Sequence, residues 1–322
     1  MNVDNAVNWV VTPLLKYPVL VYVVFWTPNV KISLLLILYS VLLKICIALN
    51  KWYKCQGNEP WKSLEELENA VVLVTGGSHG LGRSIIMELL NRYKHVKVIN
   101  LDLQKSPSAD TRVLDIQCDL MSSAALVHCI DEIKIRYGDN LSLIVNNAGI
   151  RAPYQYLKDS NEFSIQEVFA VNAFAPTRII QELVPSNHQC YVVNITSTLG
   201  VLAPAKVSTY AASKAALIAF HNSYSLELSK LGISQTRSLL VLSGQLDTEM
   251  FGGFEPPLQF FAPVVDRRKL ARDLIDCCER GQRGEICVPF YSNFAHLLMS
   301  LPLLPRNLVR KLSKMDDCLP QE

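Results

Sequence analysis

The chain has 322 residues, half of them hydrophobic, which suits one large domain or two modest ones with a substantial core. The formal charge is only +2, with no basic stripe and no interleaving of basic with aromatic residues, so nothing points to a nucleic-acid partner. The nine cysteines are odd in number and scattered, none with CxxC spacing. They describe neither a disulfide framework nor a zinc site, and they fit a reduced, cytosol-facing domain.

Two apolar stretches come first. Residues 10–26 are interrupted by Pro13, Lys16 and Pro18, whereas residues 32–49 carry only Ser33, Ser40 and Lys44 as polar positions. At ~1.5 Å per residue a helix over the second stretch is roughly 27 Å long, close to the thickness of a bilayer core. Residues 1–50 are therefore expected to anchor the chain in a membrane. The turn signal Thr27-Pro28-Asn29 allows a helical hairpin, which would also fit a lipid-droplet monolayer, and a single span beginning at Ile32 is the alternative. Lys51 and Lys54 place the domain after them on the cytosolic side. Residues 51–69 are polar and read as a linker.

From Ala70 the pattern changes to alternating strands and helices. Residues 70–75, AVVLVT, form a short β-branched run of the kind buried on both faces of a parallel sheet. The run leads into Gly76, Gly77, Ser78, His79, Gly80, Leu81 and Gly82, and then into a helical pattern. A strand, a glycine turn and a helix N-terminus in that order make a cradle for a dinucleotide pyrophosphate, with Thr75 at its edge. The next strand ends at Asp102, where a carboxylate can accept hydrogen bonds from ribose hydroxyls and would repel a ribose phosphate. NAD is thus favoured over NADP, although Lys105 lies nearby. Residues 111–117 form a third strand, followed by Asp119 and Leu120, and Ser122 can cap the helix that runs to Tyr137. A fourth strand ends in Asn146, Asn147, Ala148 and Gly149. Right-handed βαβ units in a doubly wound sheet are expected from this alternation, with ligands at the carboxyl ends of the strands.

Tyr210 and Lys214 stand four apart, on one face of a helix, so the ammonium can lie beneath the phenol and pull its pKa down from about 10. The ordered set TGGSHGLG, Asp102, NNAG, Asn172, Ser197, Tyr210 and Lys214 resembles the short-chain dehydrogenase/reductase family over residues 70 to about 288. The resemblance implies a Rossmann-type α/β fold and a catalytic set of Asn172, Ser197, Tyr210 and Lys214. Ser197 and Tyr210 would hold the substrate oxygen, Lys214 would also hold the nicotinamide ribose, and Asn172 would place a proton-relaying water. Gly244 and Thr248 match the family's cofactor loop after the sixth strand. Ser243 replaces the usual proline there, which is expected to loosen the loop. None of the six histidines has a ligand-spaced partner, so no metal is expected, and His79 and His221 are read as loop and surface residues.

Residues 243–265 correspond to the family's substrate lid, and Met250, Phe251 and Phe254 give it an aromatic, apolar character suited to a steroid, retinoid or long-chain alcohol. A helix over 266–280 and a last strand complete a catalytic domain at 70–290. The tail, 291–322, is apolar with Pro302 and Pro305 and has a basic edge at Arg310, Lys311 and Lys314, as in a membrane-proximal segment. With the N-terminal anchor, this layout is similar to the membrane-associated hydroxysteroid and retinol dehydrogenase branch, whose members live on the endoplasmic reticulum and lipid droplets. The expectation is an NAD-dependent lipid alcohol dehydrogenase, with homodimerisation through the Tyr210 helix as the family's habit. An NADPH-dependent lipid ketone reductase and a membrane scaffold with little catalysis are the alternatives.

Overall fold

The computed structural model describes residues 2–17, 30–251, 256 and 258–320. The turn expected at Thr27-Pro28-Asn29 and the substrate residue Phe254 fall outside the described residues. The long apolar stretch forms helix α1 (Val30–Lys54), whose segment Leu34–Lys54 is long and apolar enough to cross a membrane and keeps almost all its side chains exposed. Before it, residues 3–16 form short helical turns that are pinned to the main body of the fold. Val3 N–H donates to Phe260 O (2.8 Å), and Asp4 Oδ1 accepts from Phe290 N–H (2.9 Å).

The described residues then build a seven-stranded, wholly parallel sheet from β1 (Val71–Thr75), β2 (Lys97–Asp102), β3 (Val113–Gln117), β4 (Leu141–Asn146), β5 (Cys190–Ser197), β6 (Thr236–Ser243) and β7 (Gly284–Val288). The spatial order is β3-β2-β1-β4-β5-β6-β7, so chain direction across the sheet reverses between β1 and β4. Side chains alternate along each strand. Val72 and Val74 therefore join one core layer beneath α2 (Gly80–Arg92) and α8 (Arg267–Glu279). Val71 and Leu73 join the other, against α3 (Ser123–Tyr137) and α5 (Ala175–Leu183). Each such fully buried Val, Leu or Ile contributes about 1.5–3 kcal/mol, which explains why the central strands β1, β4 and β5 read as mainly apolar runs.

The cap expected at Ser122 is in place, and Asp266 caps a second helix in the same way. Ser122 Oγ accepts from Ala125 N–H (3.3 Å), and Asp266 Oδ1 accepts from Arg268 N–H (2.7 Å) at the start of α8. Between α4 (Glu162–Phe169) and α5 the chain makes a π-helical turn, Ala170–Phe174, which carries Asn172. The short helix α6 (Leu199–Leu202) follows β5 directly, and α7 (Ser208–Lys230) carries Tyr210 and Lys214.

The segment read as a linker is packed onto the amino-terminal end of the sheet. Arg237 of β6, 1 % exposed, donates to Gly281 O (3.0 Å) and to Glu59 O (3.1 Å), with its guanidinium 4.5 Å from the Trp61 ring centroid. Arg283 N–H donates to Lys54 O (2.9 Å), which fixes the end of α1 against the start of β7. After β7 the chain folds back over the carboxyl ends of the strands as α9 (Ala295–Ser300) and α10 (Leu303–Ser313).

Candidate active site

The glycine turn lies at the β1/β4 reversal point, where a doubly wound sheet opens its crevice. Thr75 Oγ1 accepts from Asn147 N–H (3.1 Å) and Ala148 N–H (3.0 Å), while Asn147 Nδ2 donates to Gly76 O (2.9 Å) and Thr75 O (3.0 Å). These bonds join the two strand ends into one platform. Gly76 sits at φ +66°, and a Cβ there would stand 2.9 Å from Ala148 Cα. A residue that sequence reasoning missed pins the turn from the other side. Asn100 of β2, fully buried, accepts from Gly77 N–H (3.0 Å) and donates to Ser78 Oγ (3.1 Å) and Asp115 Oδ1 (2.8 Å). Its signal was one polar residue inside the run VINLD.

A cleft of about 850 Å³ opens over this platform. Its walls include Gly76, His79, Gly80, Leu81, Asp102, Asp119, Leu120, Asn147, Ala148 and Gly149 from the nucleotide half, with Gly244, Thr248, Met250 and Phe251 from beyond β6. Ser197, Tyr210 and Lys214 stand at the same cleft. Thr75, Ser78 and Gly82 are not among its walls; they build the turn from behind, as does Asn172 on the catalytic side. Asp102 is at the expected place, but its carboxylate also braces the turn, accepting from Ser78 N–H (3.0 Å) and Gln104 N–H (3.2 Å). Arg83, Arg268 and Arg272 line the cleft as well, basic residues that the sequence reading did not single out.

The four residues expected to be catalytic converge. Lys214 Nζ donates to Ile195 O (3.1 Å) and lies 5.9 Å from the centroid of the Tyr210 ring. Ser197 Oγ accepts from Leu199 N–H (3.2 Å) and makes a long bond to Ser243 O (3.4 Å). Asn172 is fully buried: Oδ1 accepts from Ile150 N–H (2.9 Å), and Nδ2 donates to Ile150 O (2.8 Å) and Ser213 Oγ (3.0 Å). It ties the loop after β4 to α7, so the π-helical turn sets where Tyr210 and Lys214 stand relative to Gly149.

The electrostatics differ from the sequence expectation. Burial pushes Tyr210 up to about 12, outweighing a lowering contribution from its hydrogen bond with Ser197, while the nearby Tyr154 raises it further. Burial also lowers Lys214 to about 8. The i,i+4 spacing brings the two together, but both are enclosed, and desolvation disfavours phenolate and ammonium alike. At neutral pH the Tyr210 phenol keeps its proton.

The loop after β6 is not loosened by the missing proline. Ser243 Oγ donates to Thr196 O (3.2 Å), Ser243 O accepts from Thr198 N–H (2.8 Å), and Gly244 N–H donates to Val288 O (2.6 Å). The serine supplies a bond to β5 that proline could not make. The segment expected to form the lid is held by Arg151, another residue that the sequence reading passed over. Its Nε donates to Met250 O (2.8 Å), and its guanidinium lies 3.9 Å from the centroid of Tyr154. Phe251, carried by that lid, meets the Tyr210 ring edge-on at 5.6 Å.

Beyond Phe251 a second cavity of about 520 Å³ begins. It shares Ser197, Gly244 and Phe251 with the 850 Å³ cleft, and its other walls are nearly all apolar, among them Leu202, Leu258, Phe261, Leu298 and Val309. Such a size and lining suit a small lipophilic ligand.

His221 is not the surface residue that its sequence position implied. It is 2 % exposed on α7, where its Nδ1 accepts from Asn194 Nδ2 (3.0 Å), and Asn194 Oδ1 accepts in turn from Asn146 Nδ2 (2.8 Å). Burial lowers its pKa to about 4. Because the folded-state value lies below the ordinary 6.5, the unfolded chain binds the extra proton first, and stability falls as pH drops through 6.5 toward 4. Between pH 7 and pH 5 the loss from this group is about 2 kcal/mol. Urea midpoints at the two pH values should show it, and a His221→Gln variant should show a smaller difference.

Comparison with known proteins agrees with this geometry. Residues 70–257 match the short chain dehydrogenase family. An uncharacterized oxidoreductase of Saccharomyces cerevisiae, TDA5, is 48 % identical over the whole of both chains. Human 17-beta-hydroxysteroid dehydrogenase 13 is 26 % identical over 85 % of this chain and 91 % of its own. The crystal structure of a short chain dehydrogenase from Burkholderia cenocepacia in complex with NADP superimposes with a TM-score of 0.62, covering 76 % of this chain and 98 % of that one at 22 % identity. The parallel sheet, the glycine cradle at its reversal point and the matched span together establish that this chain belongs to the short-chain dehydrogenase family, as an oxidoreductase of the alcohol dehydrogenase/reductase type.

Proposed function

We propose that the protein transfers hydride between a lipophilic alcohol, or its carbonyl partner, and NAD at a membrane or lipid-droplet surface. The observation that carries this reading is the junction at Ser197, where a dinucleotide-sized cleft meets an apolar chamber. The residues around the cleft fit a nicotinamide dinucleotide: Gly76 keeps the turn against Ala148, and α2 points its N-terminus at the pyrophosphate position. A nicotinamide bound there would supply or accept the hydride. Tyr210 exchanges the proton at the substrate oxygen, being buried and protonated at neutral pH. Ser197 turns its hydroxyl from the long bond with Ser243 O toward that same oxygen and stabilises charge developing there. Lys214 stands behind Tyr210, where its charge can offset a developing phenolate, and Asn172 keeps that arrangement in register.

The membrane part of the reading rests on α1 and on the apolar surface beside the chamber. Along α10, Leu304, Leu308 and Leu312 recur at four-residue spacing and are exposed, with Arg306 and Lys311 beside them. Trp9, Val10 and Val11 are exposed on the N-terminal turns that are tied to the lid. An exposed apolar stripe flanked by cations suits a lipid interface with headgroup phosphates. We assign residues 1–50 to this anchor and 70–290 to the catalytic domain. The similarity to human 17-beta-hydroxysteroid dehydrogenase 13 supports a hydroxylated lipid as substrate.

A second reading, with NADPH as the cofactor, is favoured by Arg83 on the cleft wall and by the engagement of Asp102 in bracing Ser78 and Gln104. The deciding measurement is the Kd of the full chain in detergent for each cofactor. Asp102 should make NAD bind at least about tenfold more tightly, the cost of bringing a phosphate against a carboxylate. Tighter NADP binding would replace the leading reading with the second. Absence of turnover with both cofactors, across steroids, retinol and long-chain alcohols and their carbonyl forms, would refute both.

A further inference from the structure

We propose that Leu319, carried by the C-terminal turn, is the residue that sets how large a substrate can be accommodated beside Tyr210 and Ser197. The inference rests on the alcohol/carbonyl reading of the site and names the wall that selects among such substrates. The tail does more than lie beside a membrane. Helix α10 ends at Lys314, whose φ of +56° turns the chain back toward the catalytic helix. The returning segment is latched at several points to the loop between α6 and α7. Arg310 Nη1 donates to Leu202 O (2.7 Å) and its Nε to Asp316 Oδ2 (2.9 Å), while Asp316 Oδ1 accepts from Ala205 N–H (3.2 Å). Lys206 Nζ then donates to Leu319 O (3.0 Å). Ala203 and Lys206 both adopt positive φ, at +44° and +68°, so this loop holds an unfavourable backbone where it receives the tail.

These latches deliver one side chain to the reaction centre. Leu319 is 6 % exposed and belongs to a small buried cluster with Tyr154, Val207 and Tyr210, flanked by Leu199 and Phe251. It also forms part of the wall of the apolar chamber. Phe251 and Leu319 thus both border the space next to the catalytic tyrosine, one from the lid and one from the tail. The latches use the backbone carbonyl of Leu319 and the side chains of Asp316, Arg310 and Lys206. A change of the Leu319 side chain therefore alters the wall and leaves the latches in place.

The test uses the full chain in detergent, with aliphatic secondary alcohols from 2-butanol to 2-dodecanol and whichever nicotinamide binds more tightly. In Leu319→Ala the ratio of kcat/KM for the longest to the shortest alcohol should rise about tenfold, since a few methylenes of pocket space carry effects of that order. Leu319→Trp should lower the same ratio to a similar extent, with cofactor Kd unchanged in both. Leu319→Val, which removes one carbon, gives a smaller rise and reads the wall if the tryptophan variant does not fold. Binding of the same alcohols to protein saturated with the reduced cofactor allows no turnover and reads the wall independently of chemistry. Wild-type binding without turnover in either direction would sink the proposed activity while leaving the size dependence measurable. Variants that keep the wild-type length dependence in binding and in kcat/KM would overturn the role of Leu319.

Discussion

Replacing Tyr210 with phenylalanine should lower kcat by about 10²–10⁴-fold, the usual contribution of a positioned proton donor or acceptor, while cofactor affinity stays near the wild-type value. The phenyl ring is held by contacts that do not need the hydroxyl. Phe251 meets it edge-on, and Tyr154, Val207 and Leu319 share its buried cluster. Phenylalanine preserves that packing, so the loss would report on the proton and not on collapse of the site. The pH dependence supplies a second readout. With Tyr210 held at about 12 by burial, wild-type alcohol oxidation should climb an alkaline limb from pH 6 to pH 10, because it draws on the phenolate, while carbonyl reduction, which needs the protonated phenol, should stay level over that range. The phenylalanine variant should lose that limb. A variant with wild-type kcat, or one whose alkaline limb persists unchanged, would remove Tyr210 from the chemistry. Rates at saturating cofactor between pH 6 and pH 10 are sufficient to decide.

The strands were legible because a parallel sheet covered by helices on both faces draws on mainly apolar segments, and residues 71–75, 141–146 and 190–197 are such segments, every position buried even where Ser142, Asn194 or Thr196 interrupts the apolar pattern. The glycine turn was legible for a related reason: close backbone approach leaves glycine as the residue that fits. What spacing cannot carry is the degree of enclosure. Tyr210 and Lys214 were placed correctly on one helical face, yet the direction of the tyrosine shift depends on how much protein surrounds them, and Phe251 and Leu319 come from far along the chain. His221 shows where a signal was present and unused. It lies seven residues after Lys214, two helical turns along the same buried face of α7, so its burial could have been inferred from the lysine's. The tail posed a different difficulty. An apolar stripe with a basic edge is what a helix needs to rest on lipid, and equally what it needs to wall an apolar chamber while showing cations to solvent. Arg310 is read as a headgroup-facing cation from its sequence, and the fold uses it to bind Leu202 O and Asp316.

Gly82→Ala should weaken cofactor binding by at least about 100-fold, because the binding surface depends on backbone atoms that a single methyl group would move. A Cβ at Gly82 would stand 2.2 Å from Gly76 O and 2.5 Å from Asn147 Nδ2. Neither neighbour can yield cheaply. Gly76 O is main chain at a residue fixed at φ +66°, and Asn147 Nδ2 is already committed to Gly76 O and Thr75 O. Relief therefore requires the first turn of α2 to move away from β1, carrying off the N–H groups that face the pyrophosphate position. Overpacking of this kind also destabilises the fold by about 1–3 kcal/mol, so thermal unfolding must be followed beside the binding titration. Gly138→Ala is the matched control. There an added Cβ meets only Lys134 Cγ at 3.7 Å, with φ at −53°, and the exchange should leave binding unchanged and stability equal or slightly higher. If Gly82→Ala binds the nicotinamide as tightly as the wild type while remaining folded, the cradle formed by Gly76, Asn147 and the start of α2 does not hold the cofactor, and the dinucleotide must be sought elsewhere along the 850 Å³ cleft.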